Sequence, residues 1–224
     1  MADGPRYLGL ITGVFCGALV STIILSGKIA AVAGATFPAS IVLFPLTFLI
    51  GDVLTEVYGY AATRRAVWAG LISELLWIAS YTAAAALPPA PFWPHQDTFS
   101  ALLGQTPRIA LAGMIAYVCG EFVNAYVLAR MKIASGGGYL ALRMIGSTVF
   151  GAATDTAIVL VIAFYGVIPA GQLLKMGLAV WVLKVMWEIL ALPISLPLVR
   201  WLKRREQIDY FDVGTDFNPF RLQR

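Results

Sequence analysis

Seven ionisable residues lie inside the apolar stretches of this chain: Asp52, Glu56, Glu74, Glu121, Asp155, Lys184 and Glu188. Their neighbours at helical spacing are polar or aromatic. Asp52, Thr55 and Glu56 stand at i, i+3 and i+4 and share a helical face. Tyr117, Glu121 and Asn124 do likewise, as do Trp181, Lys184 and Glu188, and Glu74, Trp77 and Tyr81. Ser147, Gly151 and Asp155 form a stripe at i, i+4 and i+8, with Thr148 beside it. Carboxylates accept hydrogen bonds, hydroxyls and amides do both, lysine donates, and rings offer flat apolar faces. This mixture suits a flat, polar heterocycle with several N–H donors. The substrate-binding set read from these patterns is Asp52, Thr55, Glu56, Trp77, Tyr117, Glu121, Asn124, Ser147, Thr148, Asp155, Trp181, Lys184 and Glu188.

The segments that carry these residues are built for lipid. The chain has 224 residues, 59% hydrophobic and 12% charged, with mean hydropathy +0.80. A soluble domain averages about 25% charged residues, so this chain has too little polar surface to coat a soluble globule. A spanning helix needs about 20 mostly apolar residues. Six stretches qualify: 8–29, 37–58, 66–87, 109–131, 144–167 and 173–201. The expected fold is an all-α bundle of six transmembrane helices, one domain over 1–202, with a short tail over 203–224. The clean apolar part of the second stretch, 37–50, is near re-entrant length; it spans if the helix continues through Asp52 and Glu56. Pro88, Pro89, Pro91 and Pro94 mark one loop and Gly136 to Gly138 another, while Pro193 and Pro197 predict a kink or an early end in the last helix.

Lys and Arg near the helix ends set the orientation. With both termini in the cytoplasm, the inner segments hold Arg6, Arg64, Arg65, Arg130, Lys132, Arg143 and the cluster from Arg200 to Arg205. The outer segments hold Lys28, Arg108 and Lys175. The expectation is therefore both ends inside, in a bacterial inner membrane.

A charge at a helix centre costs about 2.5–3.5 kcal/mol on the insertion scale. Seven facing lipid would cost roughly 20 kcal/mol, more than a typical fold's stability. They must face the bundle interior or water. Glu74, Glu121, Asp155 and Lys184 fall near the middles of their stretches and Asp52 slightly inward, the level at which transporters place solute sites. Plainer roles compete. Lys184 can neutralise Glu188 at i+4 or pair with Asp155 across helices; Glu56 can be solvated at the interface; Glu74 can be a packing contact. Gly9, Gly13 and Gly17 form a small-residue ridge for close packing within the monomer, with a homodimer as the alternative.

Other classes find little support. Basic residues fall between long apolar spans, not over a solvated face, so no nucleic acid is expected as partner. Cys16 and Cys119 lie in apolar runs without disulfide or metal spacing, and the one histidine, His95, lies in the proline-rich loop. No cofactor or metal is expected. The first apolar run is too long for a signal-peptide core and is read as a retained helix.

The run Phe44-Pro45-Leu46-Thr47-Phe48-Leu49-Ile50-Gly51-Asp52-Val53-Leu54-Thr55-Glu56-Val57-Tyr58-Gly59-Tyr60 resembles the signature of the queuosine-precursor transporters, also called the vitamin uptake transporter family. The stretch from Leu87 to Trp93, the motif from Gly146 through Gly151 to Thr156, and the tail Asp216-Phe217-Asn218-Pro219-Phe220 agree with it. The resemblance implies a six-helix inner-membrane protein that imports 7-cyano-7-deazaguanine, and the 7-aminomethyl compound as a second solute. It places Asp52, Ser147, Thr148, Asp155 and Lys184 at positions of the family pattern, with Glu121 and Asn124 as a polar pair. A carboxylate, Asp155 or Glu121, would accept the adjacent ring N–H and amino group. Lys184, Ser147 or Asn124 would donate to the carbonyl, and Trp77, Tyr81, Tyr117 or Trp181 would stack on the ring. No ATPase motif is present, which leaves a stand-alone transporter or a substrate-binding subunit with a separate energising complex. An intramembrane enzyme is the more distant alternative.

Overall fold

The computed structural model describes residues 5–26, 28–32, 35–103 and 107–221. Among the described residues there are seven α-helices: α1 (Leu8–Ser26), α2 (Phe44–Tyr58), α3 (Tyr60–Ala86), α4 (Gln96–Leu103), α5 (Pro107–Ala134), α6 (Leu140–Val159) and α7 (Ala170–Glu206). A hairpin of two short antiparallel strands, β1 (Ile29–Val32) and β2 (Ala35–Pro38), follows α1, with Ile29 opposite Pro38. Among the described residues, α1, α3, α5, α7 and α6 with its extension to Phe164 are long and apolar enough to cross a bilayer.

The second expected span is where the structure differs. The hairpin takes up its first residues, a 3-10 turn covers Ala39–Val42, and α2 then begins with a proline in its first turn. At 15 residues α2 is about 22 Å long, too short to span alone. All twelve residues from Thr47 to Tyr58 are buried, so α2 is the axis of the bundle and not a lipid-facing span. The last helix does not end early. It runs on through Pro193 and Pro197 to Glu206. The short helix α4, placed after the proline-rich loop, carries no apolar run that would announce it.

Close packing orders the helices around α2. α5 and α6 touch backbone to backbone where Gly120 meets Gly151: a methyl on Gly120 would lie 3.2 Å from the Gly151 carbonyl, and one on Gly151 would lie 3.0 Å from the Gly120 carbonyl. At the other end of this pair α6 ends in a π turn, Leu160–Phe164. Arg108 of α5 satisfies its loosened carbonyls, donating to Ile162 at 2.5 Å and Tyr165 at 2.8 Å.

The described chain begins and finishes at one end of the bundle. The backbone N–H groups of Arg6 and Tyr7 donate to the Glu206 carboxylate at 3.0 and 2.7 Å, and the Tyr58 hydroxyl donates to it at 2.7 Å. Gly59, at φ +85°, turns α2 directly into α3, and the Tyr210 ring fills the space a side chain there would need. The tail beyond α7 folds back over this turn. Asp212 caps α3 by accepting the Tyr60 N–H at 3.0 and 3.1 Å. Burial pushes the Asp212 carboxyl up, an effect the Tyr60 N–H partly offsets. Arg64 donates to the carbonyls of Asp216 and Asn218, and the Trp68 indole donates to Pro219.

Candidate functional site

Asp52 sits on α2 in the centre of the bundle, fully buried. Asn124 of α5 donates to its Oδ1 at 2.7 Å. Glu121, one turn earlier on α5, reaches the α2 backbone because residue 51 is glycine: a methyl there would lie 2.6 Å from Glu121 Oε2. Thr148 of α6 and Glu188 of α7 complete the layer, both buried. Lys184, one turn before Glu188, pairs with Asp155 of α6. Its ammonium also lies 4.5 Å from the centre of the Phe44 ring at the start of α2. Asp155 packs against Gly120, the residue before Glu121, where an added methyl would lie 2.7 Å from the Asp155 Cβ. Four helices thus place Asp52, Glu121, Asn124, Thr148, Asp155, Lys184 and Glu188 together.

The layer is rich in idle acceptors. Asp52 Oδ2, Glu121 Oε2, Asn124 Oδ1, Thr148 Oγ1 and Glu188 Oε1 are buried and receive no hydrogen bond within the protein. Buried polar groups normally have partners. Four carboxyl groups here face one lysine, which is already paired. The described residues offer no group of three or more His, Cys, Asp or Glu placed to hold a metal ion.

The remaining predicted residues lie around this layer. Ser147 is buried with its hydroxyl donating to the Met144 carbonyl at 2.9 Å, and Thr55 donates to Gly51 and meets Thr63 at 3.0 Å. Tyr117 points to α3, donating to the Val67 carbonyl at 3.1 Å. Trp181 donates to Val149 across the α6–α7 contact at 3.0 Å. Trp77 is half-buried on α3, one turn beyond the buried Glu74. Glu56 faces another way. Its carboxylate is held by Lys203 at 2.6 Å, Arg143 at 3.0 Å and Lys132 at 3.6 Å.

Residues passed over as orientation charges turn out to be structural. Arg64, Lys132 and Arg143 are almost wholly buried, each 1% exposed. Lys132 and Lys203 also bind Asp209 of the tail at 2.5 and 2.8 Å. The sequence signal for Glu56 was its place one turn from Asp52. Its partners come from three other helices and left no local spacing to read.

The family model described as "Putative vitamin uptake transporter" matches residues 38–197. A protein of Bacillus subtilis (strain 168) named "Probable queuosine precursor transporter" is 29% identical over 161 residues, covering 71% of this chain and 70% of that protein. No solved structure matches the chain. The matched residues run from the hairpin to the middle of α7 and include every residue of the buried polar layer. The chain therefore belongs to the vitamin uptake transporter family, and it is a multi-pass membrane transporter for a small molecule, not an enzyme.

Proposed function

We propose that this protein imports a queuosine precursor, 7-cyano-7-deazaguanine and its 7-aminomethyl relative, across the inner membrane of a bacterium, and holds it in the layer around Asp52. The observation that carries the reading is the set of buried, unpartnered acceptors on four helices. A deazaguanine presents a ring N–H and an amino group side by side and a pyrrole N–H on its far edge, so its donors can meet more than one wall of the layer. Asp155 or Glu121 accepts the forked pair, as carboxylates do from other forked donors. Lys184 or Asn124 donates to the ring carbonyl. The excess of acids over Lys184 favours the cationic aminomethyl compound. The name of the Bacillus subtilis relative supports the choice of solute.

Transport in this reading uses six crossings with both termini inside. The meeting of Tyr7 with Glu206 supports an even number. Residues 39–58, taken as a 3-10 turn and α2 together, reach about 30 Å, the thickness of the hydrocarbon core. Lys132, Arg143 and Lys203 lie at the same end as the two termini, which is the cytoplasmic side by the positive-inside rule.

The test is binding followed by uptake. Detergent-purified protein should gain thermal stability with both deazaguanines and less with guanine or thiamine. Liposomes holding the purified chain alone should then accumulate the solute. Stabilisation by no deazapurine would reject the substrate. Binding without uptake would assign the chain to a system with a separate energising subunit.

A further inference from the structure

Beneath the solute layer the same four helices meet a second time. Glu56 of α2 is fully buried, and its three cations come from α5 (Lys132), α6 (Arg143) and α7 (Lys203). Glu56 follows Asp52 by four residues and Arg143 precedes Ser147 by four, which puts this cluster about 6 Å nearer the end where Arg6 and Tyr7 meet Glu206. A solute leaving the layer in that direction meets it first. Three cations share Glu56 with one other carboxylate, Asp209 of the tail. Lys132 also donates to the carbonyls of Glu56 and Tyr210, at 2.6 and 2.8 Å. The charge set is therefore closed only while the tail is in place. With Asp209 gone, Lys132, Lys203 and Arg143 repel one another around a single acid.

The tail is fastened unequally. Towards α3 it is held through Asp212, Asp216, Asn218 and Pro219, by bonds to a backbone N–H, a guanidinium and an indole. Towards α5 and α7 it is held by Asp209, whose side chain is 48% exposed, by the Tyr210 carbonyl on Lys132, and by the Phe211 and Phe217 rings against Lys132 and Tyr126. Ion pairs that water can reach are weak and easily exchanged. A cavity of about 390 Å³ lies between the tail and the start of α3, lined by Leu8, Ala61, Ala62, Arg65, Val213 and Thr215 among others. The tail makes more of its hydrogen bonds to α3, and the surface that can part runs between Asp209 and Tyr210 on one side and the two lysines on the other.

We infer that the Glu56 cluster, completed by Asp209 of the tail, is the inner gate of the solute path, and that it opens when α3 and its tail draw away from α5 and α7. The inference rests on the solute layer proposed above. It adds a role for Glu56, Lys132, Arg143, Lys203 and Asp209 as gate residues that do not touch the solute.

Two measurements in a background with Cys16 and Cys119 replaced by alanine test it. In the first, Ser147→Cys, just above the gate, reports reaction with a membrane-impermeant maleimide applied from the inner side. Adding Asp209→Asn or Glu56→Gln should raise the labelling rate about tenfold or more. Asp209→Asn keeps the test decisive if Glu56→Gln fails to fold. In the second, a cleavable cross-linker joins tail to α5 through Tyr126→Cys and Phe217→Cys, whose native rings are 5.1 Å apart. Uptake should stop and return on reduction. Joining tail to α3 through Trp68→Cys and Phe220→Cys, native rings 5.8 Å apart, should leave uptake running. Unchanged labelling in the gate variants, or uptake that survives the α5 cross-link, overturns the inference. If the parent protein takes up no deazapurine, the solute assignment fails, while the labelling result still decides the gate.

Discussion

Replacing Asp155 and Lys184 singly and together separates a structural ion pair from a solute clamp. Their side chains are 15% and 12% exposed, so the pair is nearly dry. Removing one partner of a buried pair costs about 3–5 kcal/mol, whereas removing both in favour of apolar groups is often neutral. Asp155→Asn should sit at the low end, about 3 kcal/mol, because the amide oxygen can still accept from Lys184. Asp155→Asn with Lys184→Met should return to within about 1 kcal/mol of the parent. Denaturant titration in detergent gives these values and their coupling energy. Binding of 7-cyano-7-deazaguanine by calorimetry gives the second readout. If Asp155 accepts the solute's forked donors, the double variant is stable yet binds roughly tenfold to a hundredfold more weakly, the worth of a charge-assisted hydrogen bond. A double variant that binds like the parent would show that the pair only holds α6 to α7. A single variant as stable as the parent would refute the burial argument itself.

Three further outcomes follow. Gly51→Ala should displace the mobile end of Glu121 and weaken solute binding with little loss of stability, because its methyl would come within 2.6 Å of a carboxylate oxygen. Gly120→Ala should instead destabilise by about 1–3 kcal/mol, since its methyl would lie 2.7 Å from Asp155 Cβ and the helices must separate; equal effects in the two melts would argue against both. Burial works against the Asp209 charge, but hydrogen bonds from Lys132 and Lys203 outweigh it and hold its carboxyl below the usual range. Tail docking through Asp209 is thus fully present above the ordinary aspartate value of about 3.9 and is lost as pH falls through its lower docked value. Protection of the tail from an acid-active protease should show that phase in the parent and lack it in Asp209→Asn. Finally, Lys28→Cys and His95→Cys should both label from outside intact cells and Gly214→Cys from the cytoplasmic side; Lys28 and His95 on opposite sides would refute the crossing by α2 and with it six crossings.

The sequence disclosed the layer through cost alone. Charges such as Asp52 and Glu121 are too expensive in lipid, so they had to face inward; helical spacing grouped Asn124 with Glu121 correctly, but it also grouped Glu56 with Asp52 and Tyr117 with Glu121, and both face elsewhere. It did not disclose pairing. Lys184 could reach Glu188 on its own helix or Asp155 on the next, and spacing cannot rank an i+4 partner against one twenty-nine residues away. Nor did it reveal that Lys132, Arg143 and Lys203 converge on Glu56, because the bias that marks cytoplasmic loops looks the same whether a lysine is solvated or buried. The length of α2 was hidden by composition. Residues 37–58 are apolar enough to span, and only the hairpin that consumes the first of them shortens the helix.

The fastening of α5 to α6 has a consequence for how a transport cycle could be watched. The two are joined at mid-length by bare backbone, at one end by Arg108 on the π turn, and at the other by Arg143 on the Gly137 carbonyl of their connecting loop. They form a chassis. A pair of spin labels across them should give the same separation in every state and serve as an internal ruler, while a pair from α6 to α3 should record the stroke.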